Sequence, residues 1–237
     1  MTRKQQFVQN FLVGLFGTTA FVTITVFSLL WVNGLSYDRA TGSFEQTSVI
    51  AVEEKLRDVT VKLNGLTVAE ELPLQQRNLK PGLYELEISR VGYRSFIKNV
   101  ILQVSEVKII ENVVLIANNP LITELPADYR FITLGPISAG LTLSDGELYD
   151  GGRFITRFAT APSAIYRLNH IYLYRLDGQI RSFDPETSQD FLIVTLENEQ
   201  TTINPKPFSW SFAVQDGARN YLVNLTEPTV AAVDLPQ

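Results

Sequence analysis

The sequence predicts an all-β ectodomain carried by one N-terminal transmembrane α-helix. A long uncharged apolar run lies near the N-terminus, and apolar residues alternate with polar ones from about Ser48 onward. Asp-Gly pairs, which favour tight turns between strands, recur three times in the second half of the chain. Period-two alternation and frequent turns are typical of β-domains, so we expect helix only in the apolar run.

The composition excludes several classes of function. The chain of 237 residues has no cysteine, one histidine (His170) and a formal charge of −5 at pH 7. Disulfides, thiolate zinc sites, cysteine nucleophiles and multi-histidine metal sites are therefore ruled out. The acidic balance argues against a nucleic-acid partner. We expect no cofactor, because no phosphate-binding glycine motif occurs in the sequence.

The apolar run is long enough to cross a membrane. No charged residue occurs from Gln5 to Tyr37, and residues 11–33 are the predicted transmembrane helix. The segment from Phe11 to Val32 would rise about 33 Å as a helix, against a hydrocarbon core of roughly 30 Å. The predicted anchor consists of large apolar side chains, namely Phe11, Leu12, Phe16, Phe21, Ile24, Phe27, Leu30 and Trp31.

The charges that flank the run predict its orientation. Arg3 and Lys4 precede it, whereas only Arg39, beside Asp38, closely follows it. The positive-inside rule therefore places residues 1–10 in the cytoplasm and the β-domains outside the cytoplasmic membrane.

Two further features bear on the outer end of the run. Trp31 and Tyr37 lie where interfacial aromatic side chains would anchor it. A cleaved signal peptide is the alternative interpretation, but its apolar region normally runs about 7 to 15 residues and ends at a small-x-small site. The sequence from Trp31 to Ser36 has no such site, which favours a retained helix.

Residues 48–116 are predicted to form a small antiparallel β-sandwich, joined to the helix by a linker at residues 34–47. Val59, Val61 and Leu63 share one face of a strand, and Asn64-Gly65 is the pair favoured by a type I′ hairpin turn. The same alternation continues in two later strands, on Tyr84, Leu86 and Ile88, and on Val100, Leu102 and Val104.

A family resemblance is carried by a set of turn and strand residues in this region, namely Asn64, Gly65, Pro73, Leu79, Pro81, Gly82, Tyr84, Gly92 and Tyr93. In this order they resemble a PEGA domain, although the tetrapeptide that names the family falls at residues 56–59, where this chain reads LRDV. The lead-in from Tyr37 also resembles envelope proteins of uncultivated small-celled bacteria. The resemblance implies a membrane-anchored protein of the bacterial cell envelope.

Residues 121–237 are predicted to be a β-repeat region that begins after the break at residues 118–120. The Asp-Gly pairs start at Asp145, Asp177 and Asp216, a spacing close to the length of a four-stranded propeller blade. The region resembles the blades that follow PEGA domains in such envelope proteins, which implies two to three blades. A closed propeller needs at least four. An incomplete propeller, a ring completed by self-association and an ordinary β-sandwich therefore remain open.

The strands of the repeat region are predicted from their alternation. An alternating segment follows each Asp-Gly pair, at residues 153–158, 191–196 and 221–225. A further strand is predicted to place Phe208, Trp210, Phe212 and Val214 on one face and Ser209, Ser211 and Ala213 on the other.

Candidate chemistry is confined to a few polar residues. Two acidic runs, at residues 145–150 and 184–190, place carboxylates in turns, where they could bind calcium or act as the acid and base of a glycosidase. Asp-Gly and Asp-Pro are first of all turn formers. His170 could activate Ser209 or Ser211 only if the fold brought them together, and a structural histidine is the favoured interpretation.

The leading functional hypothesis is a passive module of the cell envelope that presents its β-domains to a protein or glycan partner. The alternative is an exported hydrolase of envelope polysaccharide that would use Asp145, Glu147, Asp184 and Glu186. We expect neither a catalytic residue nor a bound metal under the leading hypothesis.

Overall fold

The computed structural model describes residues 3–32, 35–38, 42–132, 134–198, 201–206 and 208–229. Most of this part of the chain is strand, and its one helix is N-terminal, so the mostly-β class and the apolar helix are confirmed. The elements, in chain order, are α1 (Arg3–Val32), β1 (Leu35–Asp38), β2 (Ser43–Gln46), β3 (Ser48–Val52), β4 (Thr60–Leu63), β5 (Leu66–Ala69), β6 (Leu74–Leu79), β7 (Gly82–Ser89), β8 (Phe96–Leu102), β9 (Val107–Ile110), β10 (Pro120–Glu124), β11 (Leu141–Ser144), β12 (Glu147–Asp150), β13 (Arg153–Arg157), β14 (Ala164–Leu168), β15 (Ile171–Leu176), β16 (Gln179–Asp184), β17 (Gln189–Thr195), β18 (Thr201–Pro205), β19 (Ser211–Asp216) and β20 (Arg219–Pro228).

Three threonine hydroxyls of α1 form hydrogen bonds within the helix. The hydroxyls of Thr18, Thr19 and Thr25 each donate to the backbone carbonyl four residues earlier, at 2.8–2.9 Å. These bonds allow threonine to occur in an apolar helix without an unpaired donor. The segment Phe11–Leu29 is long and apolar enough to span a membrane, and none of it is buried in the protein.

The chain divides into two compact units. The division passes through β7 and β8, so each unit is discontinuous in sequence. The first unit comprises Met1–Lys55, Leu72–Tyr84 and Val100–Glu111, and the second comprises Leu56–Glu71, Glu85–Asn99 and Asn112–Gln237.

The first unit contains α1, a hairpin of β1 and β2, and the sheet β6-β3-β9. The hairpin occupies most of the predicted linker at residues 34–47. Strand β3 pairs antiparallel with β6 but parallel with β9. The expectation of a purely antiparallel domain is therefore wrong. The parallel pair forms because the long connection between β3 and β9, which contains β4 to β8, gives the chain room to cross over.

The second unit begins with the hairpin of β4 and β5. Leu63 pairs with Leu66 around a two-residue turn, as predicted. Asn64 and Gly65 have φ of 50° and 78°, which is the left-handed backbone that makes this residue pair favourable in a type I′ turn. These strands belong to the sheet β5-β4-β7-β8, in which Leu86 and Ile88 are fully buried.

Three sheets follow in the same unit, and they share a repeated plan. Each sheet has one hairpin with an Asp-Gly pair. These hairpins join β11 to β12, β15 to β16 and β19 to β20. In the first two, the strand after the hairpin has a bulge at the same distance from the glycine, at Leu148/Tyr149 and at Ile180/Arg181. The amides of Phe158 and Leu196 then donate to the carbonyls of Gly146 and Gly178. The repeats are therefore structural as well as sequential.

The sheets differ in how their outer strands are supplied. The complete meander is β14-β15-β16-β17, whereas β11-β12-β13 has three strands. The last sheet has the order β10-β20-β19-β18, so a strand from before the repeats occupies its fourth position. Of the three predicted alternating segments, 153–158 and 191–196 fall on the equivalent strands β13 and β17, but 221–225 falls on β20, one strand earlier in the plan.

The sheet β14–β17 is buried on both faces, since apolar side chains of the two neighbouring sheets cover it. Leu173, Ile180, Phe212 and Val223 meet in the cluster shared with the last sheet. Tyr172, Tyr174 and Leu148 meet in the cluster shared with β11–β13. A sheet covered on both faces reads as a nearly continuous apolar run rather than as an alternation. Strand β15, with the sequence IYLYRL, is an example.

Two predicted strand faces are shorter than expected. Strand β19 begins at Ser211, and Phe208 lies in the preceding turn with φ of 58° and a fully exposed ring. Trp210, Phe212 and Val214 do pack into the core. Strand β8 ends at Leu102, and Val104 is exposed. In both cases a turn interrupts an alternation that the sequence continues.

Candidate functional site

A cleft of about 490 Å³ lies beside β14 and β18, which are edge strands of two different sheets. The segment that precedes β11 forms its other wall. Its lining combines aromatic rings with hydroxyl, amide and guanidinium groups, on Tyr129, Phe131, Leu134, Pro136, Ser163, Ala164, Tyr166, Arg175, Thr201, Thr202 and Gln215.

The wall formed by residues 126–132 and 134–136 is fastened at both ends. At one end, the Pro126 carbonyl accepts a bond of 3.2 Å from the Asn220 side-chain amide. At the other end, the Ile165 amide donates to the Pro136 carbonyl at 2.7 Å. The aromatic side chains of this wall are therefore carried by a segment whose position is fixed by two different sheets.

The two aromatic rings of this wall contact each other. The ring centroids of Tyr129 and Phe131 are 5.0 Å apart in an edge-to-face arrangement. The ammonium of Lys206 lies 5.9 Å from the Tyr129 ring centroid. An edge-to-face pair of this kind is favourable in itself and holds both rings in place.

Arg175 connects the β14 and β18 sides of the cleft. Its Nε donates to Ser163 Oγ at 2.7 Å and its Nη1 donates to the Thr201 carbonyl at 3.0 Å. These bonds hold the guanidinium at the junction of β14 and β18. Burial raises the pKa of the neighbouring Tyr166, with Arg175 opposing the shift, so this phenol stays neutral at physiological pH.

The lining of the cleft combines aromatic faces with hydroxyl, amide and guanidinium groups. No carboxylate or imidazole lines it among the described residues. Aromatic faces beside convergent hydrogen-bonding groups are the usual features of small-ligand sites, and they suit a ligand with both apolar and hydroxyl-bearing faces.

Three of the four carboxylates of the hydrolase hypothesis have partners outside the cleft, and the fourth, Asp145, is exposed in the turn before β12 with φ of 52°. Glu147 accepts from the Tyr149 hydroxyl at 2.6 Å and lies 3.3 Å from Arg157. Buried Asp184 accepts from the Glu186 amide at 2.8 Å, and Glu186 forms an ion pair with Lys98. The described hydrogen bonds and ion pairs do not join these two groups to each other, and neither group lines the cleft.

The remaining acidic residues of the two runs face cations. Asp150 accepts from the Tyr172 hydroxyl at 2.8 Å and lies 3.3 Å from Arg167. Asp190 accepts from both Arg181 and the Tyr174 hydroxyl. Burial, and then these carboxylates, raise the pKa of Tyr172 and Tyr174 to about 12. In the part of the chain that the structure describes, no three His, Asp or Glu residues are grouped as metal ligands.

His170 packs against an aromatic ring. Its ring centroid lies 5.1 Å from that of Trp210, and the Asn169 side chain donates to the Ser209 carbonyl at 3.1 Å. The fold therefore brings His170 close to the Ser209–Ser211 segment. Ser209 Oγ lies 3.1 Å from the Lys206 carbonyl, to which it donates, and 2.9 Å from Ser211 Oγ.

The residues of the PEGA resemblance occupy turns and strand ends. Pro73 follows a cis peptide bond before β6, Pro81-Gly82 lies between β6 and β7, and Gly92 has φ of 84° in the turn after β7. The Tyr84 hydroxyl donates to the Lys80 carbonyl at 2.8 Å. The Tyr93 hydroxyl donates to the Thr226 carbonyl at 3.1 Å, which ties this turn to β20 within the second unit.

The predicted membrane anchor lies on α1. Six of its large side chains are exposed by between 56% and 78%, namely Phe11, Leu12, Phe16, Phe21, Ile24 and Phe27. Leu30 and Trp31 also belong to the helix, and their side chains lie outside the described part.

The sequence contains no motif that indicates the cleft residues. Tyr129 and Phe131 occur in a segment without strand alternation, and Arg175 and Gln215 are ordinary polar positions of strands. The one available signal is an aromatic pair in a loop bounded by Pro126 and Pro136. Aromatic residues in such a loop need a reason other than strand propensity.

No known protein family matches this chain, and no curated protein sequence matches it either. Its structural class is therefore assigned from the structure alone, as mostly β with one apolar N-terminal helix among the described residues.

Proposed function

We propose that this protein is a single-pass binding module of the bacterial cell envelope, which uses the cleft beside β14 and β18 to hold a glycan. The observation that carries the proposal is the lining of that cleft. The Tyr129 and Phe131 rings line this cleft together with the hydrogen-bonding groups of Arg175, Thr202 and Gln215. Sugar rings present an apolar face and a rim of hydroxyls, and the cleft offers a partner for each.

Membrane anchoring is supported by α1. An apolar helix that the protein does not bury needs lipid around it, because contiguous exposed apolar surface of this size is rare in soluble proteins. Arg3 and Lys4 before the span support an N-terminus in the cytoplasm and β-domains outside it.

The repeated plan of the three C-terminal sheets supports a propeller-like array. All three sheets have an Asp-Gly hairpin, and two of them have a bulge at the same position. In the last sheet, β10 takes the place of a fourth strand. Repeated four-stranded sheets of this kind are typical of propeller blades. The hairpin at Asn64-Gly65 and the turns at Gly82 and Gly92 support a PEGA-like domain. Open sheet edges in an unclosed array would favour self-association.

The glycan proposal is tested by calorimetry on the full chain in detergent with soluble oligosaccharides of N-acetylated hexosamines. Tyr129→Ala and Phe131→Ala should each weaken binding about fivefold, since stacking of one aromatic ring contributes on the order of 1 kcal/mol. Phe154→Ala is the matched control, because this ring is half-exposed on β13 and does not line the cleft. Equal affinity of the unmodified chain and all three variants would mean that the glycan binds outside this cleft. If the protein captures another protein but no glycan, the partner is a protein and the glycan proposal is wrong.

A further inference from the structure

The hairpin of β1 and β2 carries an exposed aromatic pair. Tyr37 and Phe44 are directly opposite each other in the register of the hairpin. Their ring centroids are 5.3 Å apart with an interplanar angle of 60°. Even so, 55% of Tyr37 and 51% of Phe44 remain exposed. Two large rings are therefore held together with half of their surface uncovered.

An apolar groove of about 370 Å³ separates this pair from helix α1. Within the described residues, none of its lining side chains is charged, and most are hydrocarbon. The lining comprises Thr23, Ile24, Phe27 and Ser28 from the helix and Leu35, Tyr37 and Phe44 from the hairpin.

The helix sets the depth of this groove in a bilayer. The groove residues of α1 all lie within the apolar segment Phe11–Leu29. Thr23 precedes Leu29 by about 9 Å of helix rise at about 1.5 Å per residue. The groove therefore opens within the outermost third of a hydrocarbon core that is roughly 30 Å thick. Water is scarce at that depth, and the groove offers it almost no hydrogen-bonding partner.

We propose that this groove binds the acyl chain of one outer-leaflet lipid, with the Tyr37–Phe44 pair forming the wall opposite the helix, close to the membrane interface. The inference rests on the membrane insertion proposed above, and it adds a lipid as a specific partner. Aromatic rings prefer the interface, where an apolar body and a polar edge are both satisfied. The Tyr37 hydroxyl supplies that polar edge.

Lipid binding at the hairpin would also orient the first unit. The Glu45 carboxylate at the end of the hairpin lies 3.2 Å from the Lys80 ammonium, in the turn between β6 and β7. Because the hairpin contacts the helix at one side and this turn at the other, a seated hairpin fixes the tilt of the sheet β6-β3-β9 against the membrane. A flexible linker could not do so.

The test uses tryptophan fluorescence of the full chain in vesicles that contain lipids brominated either near the headgroup or near the chain end. The probe is Phe44→Trp in a Trp31→Phe, Trp210→Phe background. We expect headgroup-proximal bromine to lower its emission about twofold and chain-end bromine to have less effect, as for an interfacial ring. Phe154→Trp in the same background is the matched control, with 52% exposure on β13, and should not respond.

A second probe separates the inference from the membrane proposal. A variant that retains only Trp31 reports whether the helix itself is inserted. Quenching of Trp31 without quenching at position 44 would overturn the lipid site and leave the anchor intact. Absence of quenching at both positions would overturn both. Tyr37→Ser in the position-44 probe should make its emission insensitive to bromine near the headgroup, since the pair is then broken.

Discussion

Helix α1 and the sheet β14–β17 are both rich in apolar residues, but the helix exposes its apolar side chains and the sheet buries them. Phe16 and Phe21 on the helix are 78% and 71% exposed, whereas Leu173 and Phe212 in the cluster around the sheet are fully buried. The sheet finds its apolar surroundings in two neighbouring sheets. The described part of the protein does not bury the helix, and this is why we propose that lipid surrounds it.

The largest effect should come from opening a cavity in the sheet. Leu173→Ala should lower the free energy of unfolding by about 3 kcal/mol, because the surrounding strands cannot collapse onto the lost methyl groups. Urea denaturation of the full chain in detergent, followed by near-ultraviolet circular dichroism, measures this. Leu66→Ala is the control, since Leu66 is 73% exposed on β5 and should change stability by less than about 0.5 kcal/mol. Equal losses in both variants would mean that the sheet is not the core.

The helix should respond to charge rather than to volume. Phe16→Arg places a guanidinium about 8 Å inside the inner end of the predicted span, which disfavours insertion by up to about 3 kcal/mol. We expect a smaller fraction of the variant in carbonate-washed membranes, with the melting of the β-domains unchanged. Phe154→Arg, on an exposed ring of β13, should be retained like the unmodified protein. Full retention of Phe16→Arg would show that the helix is held by something other than lipid.

The smallest effect concerns the ion pair between Lys98 and Glu186, which fastens residues 85–99 to the repeat region. The hydrogen bond from Lys98 lowers the pKa of Glu186 below its ordinary value of about 4.5. A lowered pKa in the folded state adds stability above about pH 4.5, and this stability is lost as the pH falls through the folded-state value. Because both side chains are partly solvated, the contribution is about 1 kcal/mol or less.

Denaturation at two pH values checks this contribution. Glu186→Gln should lower the free energy of unfolding at pH 7 and lower it by less at pH 3, because the stability that the ion pair adds is lost as the pH falls through the lowered pKa of Glu186. Glu85→Gln, an exposed residue of β7, should show no such difference. A loss of stability in Glu186→Gln that is equal at both pH values would contradict the assignment.

Local rules predicted most of the elements of the fold. The Asn64-Gly65 and Asp-Gly hairpins, the β-class and the apolar helix all depend on short-range preferences that the residues themselves carry. Such preferences say where the chain turns. They do not say which strands become neighbours, and so the parallel pairing of β3 with β9 was not foreseen.

Alternation failed as a guide where a turn adjoins a strand. Val104 continues the apolar pattern after β8 has ended, in a turn without glycine or proline. Phe208, which follows Pro207 in the sequence, lies before β19 begins. The cleft was missed for a related reason, since Tyr129 and Arg175 lie far apart in sequence and meet only when two sheets pack side by side. A site assembled from three separate segments leaves no spacing that can be read from one of them.

Carbonate extraction of membranes from cells that express the unmodified chain is the most direct test of membrane anchoring by α1. We expect the full-length protein to stay in the membrane pellet, and we expect protease added to the outer surface to remove its β-domains. Full-length protein in the carbonate supernatant, or β-domains protected from that protease, would contradict it.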